Sequence, residues 1–113
     1  MRLSVAPFAD VGLVKMDNDG DYGYRQFHWP KIKDCEKFTI QEQMAKVNEE
    51  TYELQREVLK DKPPKRWILF EGMNVIHAVE TLFRTIGATE HDLEMASEET
   101  LYDNRLRGYY DEQ

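Results

Sequence analysis

The chain has 113 residues, a length that suits one domain or one subunit of an assembly and leaves no room for two full domains. Fifteen lysines and arginines against 22 aspartates and glutamates give a formal charge of −7. That balance argues against binding polymeric nucleic acid or an anionic membrane surface, both of which are neutralised by cations.

No apolar run approaches the roughly 20 residues of a membrane helix, and the N-terminus lacks the charged-then-apolar pattern of an export signal. Cys35 stands alone, which excludes an internal disulfide framework and a cysteine zinc cluster. A soluble, cytoplasmic domain with surplus carboxylates is expected. Residues 1–35 hold five acids and five bases, so the whole excess lies in residues 36–113. The composition divides the chain into an N-terminal extension, 1–37, and a helical domain, 38–113.

In the extension, Gly12-Leu-Val-Lys-Met16 and Tyr22-Gly-Tyr-Arg-Gln-Phe27 flank Asp17-Asn-Asp-Gly-Asp21, which suggests a β-hairpin. A calcium loop of the EF-hand type needs glycine sixth and glutamate twelfth. Counted from Asp17 those positions are Tyr22 and His28, so a plain turn is the better assignment.

Thr39-Ile-Gln-Glu42 is a capping box. It predicts a helix from there to about Lys60, where Asp61-Lys-Pro-Pro64 stops it. A second helix is expected from Pro64 or Lys65 to Ile86, with Gly87 as its C-terminal cap. Thr89-Glu-His-Asp92 opens a third, reaching roughly Asn104, and Gly108 and two tyrosines follow. An all-α helical bundle is the expected fold.

At 100° per residue, Ile40, Met44, Val47, Thr51, Leu54 and Val58 form an apolar stripe on the first helix. Lys46, Glu50, Glu53 and Glu57 line its edge, and Glu49 falls on the far side. The second helix is apolar over more than half its circumference, through Ile68, Leu69, Met73, Val75, Ile76, Val79, Leu82, Phe83 and Ile86. Such a helix needs neighbours on several sides, so a homodimer or homotetramer is expected, with the site near the subunit interface. A stripe of Trp67, Glu71, Asn74, Ala78 and Thr81 runs through it. Another, His77, Glu80 and Arg84, has the pattern of a solvated or salt-bridged face.

Two helices joined by a short Pro-Pro turn pack antiparallel. That sets Glu50 and Glu53 opposite Glu71 and Asn74. Taken alone, an acidic helix face is ordinarily just solvated. A carboxylate on an apolar helix, however, is costly to bury unpaired. Three carboxylates and an amide oxygen make an oxygen-rich site suited to magnesium or manganese rather than zinc. Without a cation the like charges repel and their pKa values rise.

Glu49-Glu-Thr-Tyr-Glu53 has the form EExxE and is followed, after 17 residues, by Glu71-Gly-Met-Asn74 in the position of ExxD. Together with Lys46-Val-Asn-Glu-Glu50-Thr-Tyr-Glu-Leu54, Asn74-Val-Ile-His-Ala78 and Asn104-Arg-Leu-Arg-Gly-Tyr-Tyr110, this resembles the MazG-like, all-α nucleoside triphosphate pyrophosphohydrolases over about residues 38–110. The resemblance implies cleavage of a (deoxy)nucleoside triphosphate to the monophosphate and pyrophosphate. It implies Mg2+, or Mn2+, held by Glu50, Glu53, Glu71 and Asn74. Glu49, Glu50 and Glu53 would be the catalytic carboxylates, Glu49 in an outer position or orienting the attacking water. Lys46, Asn104, Arg105, Arg107 and Tyr109 would bind the substrate. Tyr109 or Trp67 offers a face for base stacking, though packing is the ordinary role of either.

One departure is clear. The family's second motif ends in aspartate where this chain has Asn74, which keeps a carbonyl oxygen but removes a charge. Two further functions therefore stand beside the hydrolase. One is a catalytically weak relative that binds a nucleotide or a protein, and the other is an assembly protein whose acids are only surface.

Overall fold

Helix α1, Ile40–Val58, begins where the sequence places its cap. Thr39 Oγ1 accepts the Glu42 N–H at 3.0 Å, and the Thr39 N–H donates to Glu42 Oε1 at 2.9 Å. Two of the donors that a helix start leaves without partners are thereby satisfied. The computed structural model describes residues 29–112, and the hairpin expected near residues 12–27 lies outside them. After α1 the prolines at 63 and 64 prevent continuation, and α2, Lys65–Thr85, starts on Pro64. Gly87 follows at φ +74°, the left-handed conformation that closes a helix and that glycine adopts without strain.

Helices α1 and α2 pack against each other as an antiparallel pair. A single 3₁₀ turn, Cys35–Lys37, lies ahead of α1 and packs on α2. Its Cys35 is buried, with Thr85 Oγ1 donating to the Cys35 carbonyl at 3.5 Å. Residues 29–87 form one compact unit, and residues 88–112 belong to another. In the latter, α3, Glu90–Leu106, opens on a second capping box, Thr89 with Asp92, and is followed by Gly108 at φ +74°. No strand occurs among the described residues, so the class is all-α, as expected.

Two expectations about the helix faces change. The stripe of α2 turned to α1 is the small and polar one: Ala78 and Thr81 are buried, and the buried Gln43 of α1 donates Nε2 to the Ala78 carbonyl at 2.9 Å. Correspondingly, α1 meets α2 through Gln43, Val47, Glu50 and Leu54. Ile40, Met44, Thr51 and Val58 of the expected core stripe are exposed. The contact is rotated toward the polar edge, where the Gln43 amide finds its partner on α2.

The second change concerns His77, Glu80 and Arg84. Glu80 is 4% exposed, which removes the solvated option. Its carboxylate accepts the Trp29 N–H at 3.3 Å and pairs with Arg84 at 3.5 Å. Arg84 in turn donates to the Trp29 carbonyl at 3.0 Å, and the Trp29 ring stacks on His77 with centroids 5.0 Å apart. Trp29 is thus fastened to α2 by backbone hydrogen bonds to an ion pair of that helix and by a ring stack.

Candidate metal centre

Three residues of the antiparallel pair converge. Glu50 and Glu53 sit three apart on α1 and share a face. Glu71, one and a half turns into α2, comes opposite them because the turn between the helices is short. One carboxylate oxygen from each of Glu50, Glu53 and Glu71 lies within 4.8 Å of the others, and all three side chains are half-buried. This group can hold a metal ion. In octahedral coordination by magnesium, neighbouring ligand atoms stand about 3 Å apart and opposite ones about 4 Å, so the three oxygens must draw together to close round an ion.

The neighbours offset part of the charge. Lys46 Nζ lies 3.1 Å from Glu50 and 3.0 Å from the exposed Glu49. Hydrogen bonds to Glu49 and then to Glu50 raise the Lys46 ammonium above its ordinary pKa of 10.5. Asn74 turns its Nδ2 toward Glu71 Oε1 at 3.5 Å. Oriented that way the amide is a donor to the cluster, and ligation through Oδ1 requires a half-turn of the amide. Glu53 makes no hydrogen bond or ion pair with the described residues. Glu57, further along the same edge, is taken up by Lys60 at 2.8 Å.

The remaining candidates behave differently. Asn104, Arg105, Arg107 and Tyr109 belong to the second unit and pair among themselves and their neighbours. Arg105 forms a two-pronged bond to Glu112 at 2.6 and 2.7 Å, and Arg107 pairs with Asp103 at 3.2 Å and lies over the Tyr109 ring. Asn104 donates to the Tyr110 hydroxyl at 3.3 Å. Trp67 is met by the edge of Phe70 and by the Arg66 guanidinium, 5.0 Å from its ring.

A cavity of about 570 Å³ adjoins the carboxylates. Lys46, Glu50 and Asn74 line it near the cluster. Glu42 lines it as well, and Ile32, Phe38, Gln43, His77, Ala78 and Thr81 line the rest. Reading the sequence singled out none of these last six as site residues. Gln43 and Thr81 had a signal, since they continue the faces that carry Glu50 and Asn74. Ile32 and Phe38 had none, because only the fold returns them to α2. His77 Nε2 is shielded from water and has no hydrogen-bond partner.

Compared with protein-family models, curated proteins and solved structures, the chain matches none.

Proposed function

We propose that this protein is a magnesium-dependent nucleoside triphosphate pyrophosphohydrolase of the MazG-like type. The observation that carries the reading is the convergence of Glu50, Glu53 and Glu71 from two antiparallel helices. Those three would hold the ion, Mg2+ or Mn2+, and Asn74 would join them once its amide turns. When bound, the ion offsets triphosphate charge and acidifies a water. Glu49, outside the ligand set, would orient a water that attacks the α-phosphorus and take up its proton as the bond to the bridging oxygen breaks. Products would be a nucleoside monophosphate and pyrophosphate. Lys46 adds a positive charge beside the triphosphate, with Glu49 holding its ammonium in place.

The test is pyrophosphate release from a panel of nucleoside and deoxynucleoside triphosphates, with magnesium and with a chelator. Turnover that needs magnesium and disappears in Glu50→Gln and Glu71→Gln supports the reading. The absence of any turnover in the natural protein overturns it. Asn74 favours a second reading, a binding module of the same fold that holds a nucleotide without cleaving it. Activity appearing only in Asn74→Asp would select that one.

The active assembly would be a homodimer or homotetramer. Leu69, Phe70 and Met73 of α2 are exposed and would supply its interface.

A further inference from the structure

The carboxylate cluster accounts for the phosphate end of a nucleotide and leaves the cavity beside it without a role. We propose that this cavity seats the nucleobase and that Gln43 and His77 read the base's polar edge. This inference rests on the pyrophosphohydrolase reading and adds to it the group that would decide specificity.

Size and position agree with that occupant. A volume of about 570 Å³ lies within the roughly 300–1,000 Å³ typical of small-molecule sites. Asn74 at one end and Thr81 at the other are seven residues apart on α2, about 10 Å along the helix axis, a span comparable to a nucleoside. Lys46, Glu50 and Asn74 line it near the cluster, and the rest mixes the apolar Ile32, Phe38 and Ala78 with the polar groups of Glu42, Gln43, His77 and Thr81. A charged phosphate chain running into a flat ring with a polar edge suits such a lining.

Two polar groups of this lining lack what an occupant would bring. Gln43 is 4% exposed, and its Nε2 is committed to the Ala78 carbonyl. That bond fixes which way the amide points and leaves Oε1, an acceptor, without a protein partner. His77 Nε2 is buried and unpartnered, in a ring held from outside by the Trp29 stack. Buried polar atoms are nearly always hydrogen-bonded, and one left alone in a native fold points to a partner supplied from elsewhere. His77 also lines the cavity, and a turn of the imidazole would bring a ring nitrogen to an occupant. A base edge carries N–H donors beside ring or carbonyl acceptors and so serves both groups. Thr81, whose hydroxyl donates to the His77 carbonyl at 3.0 Å, keeps an oxygen that only accepts. Gln43 and Thr81 would accept from the amino or imide N–H that a base edge carries.

The test is calorimetric binding, in magnesium, of α,β-methylene nucleoside triphosphates, which resist cleavage, against inorganic tripolyphosphate, which has no base. The full chain is compared with His77→Phe, which keeps the stack on Trp29 and removes the polar atoms, and with Gln43→Met. His77→Gln serves as the conservative variant, and thermal melting checks that each is folded. The natural protein should bind at least one nucleotide analogue more than 10-fold tighter than tripolyphosphate. His77→Phe and Gln43→Met should each remove at least 5-fold of that difference without changing tripolyphosphate binding, and His77→Gln should restore part of it. Equal binding of tripolyphosphate and every analogue overturns the base site and leaves the metal and phosphate reading standing. A preference that survives both variants also overturns it. Binding of neither ligand overturns both readings together.

Discussion

Asn74 is the residue on which the chemistry turns. Its amide donates to Glu71, so in the cation-free protein it relieves repulsion inside the cluster, where an aspartate would add to it. Asn74→Asp should therefore lower stability in a chelator, by about 0.5 kcal/mol as for like charges one turn apart. In magnesium the order reverses, because a fourth carboxylate strengthens cation binding and a cation bound only to the native state raises its stability. Melting curves of both proteins, with chelator and with magnesium, should cross in this way. If the variant is less stable in both, Asn74 is not beside a cation site.

Glu80 is the second decisive residue. It is buried against Arg84 and the backbone of Trp29, so removing the carboxylate breaks its ion pair with Arg84 and takes an acceptor from the Trp29 N–H. Glu80→Ala should destabilise the protein by about 3 kcal/mol, the scale of a broken buried pair. Urea unfolding measures this directly. A loss below about 1 kcal/mol would mean that Glu80 behaves like a surface charge.

At the scale of the element, boundaries follow local chemistry. Thr39 and Thr89 start helices because each hydroxyl accepts a backbone N–H, and Glu42 and Asp92 return the bond. The hydrogen bonds from Thr89 hold the Asp92 carboxyl below its ordinary pKa of 3.8. A group whose pKa is lowered on folding contributes stability above its unfolded value and loses it as the pH falls through the folded value. Helical ellipticity contributed by α3 should thus be constant from neutral pH to about 5 and fall below about 3.8. Asp92→Asn should show a flatter acid limb in far-ultraviolet circular dichroism. An unchanged limb would mean that the box does not support α3.

At the scale of the molecule, α2 is the element that demands company. Its contact with α1 uses the small, polar stripe through Ala78 and Thr81, and part of its apolar surface is exposed. Leu69, Phe70 and Met73 are between 39% and 54% exposed, together with Ile40 and Met44 of α1. Light scattering after size exclusion should give a dimer or tetramer at micromolar concentration. Leu69→Glu should shift it toward monomer, because charged residues are depleted at the core of an interface. A monomeric natural protein would remove oligomerisation from the proposal.

The sequence by itself determined the helices, their caps and the meeting of Glu50 and Glu53 with Glu71. Those depend on i, i+3 spacing, side-chain caps and one short proline turn, all of which are local. Only the tertiary structure decided which faces touch. Periodicity marks an apolar stripe on α1 but carries no information on the rotation of a partner, and the Gln43 bond to the Ala78 carbonyl turned the contact toward the polar edge. It also decided the fate of His77, Glu80 and Arg84, a charged pattern that would suit solvent equally well. Trp29 lies about 50 residues away in sequence, and its backbone makes the burial of Glu80 affordable. The cavity has the same origin, since Ile32 and Phe38 reach α2 only through a fold that spacing along the chain does not encode.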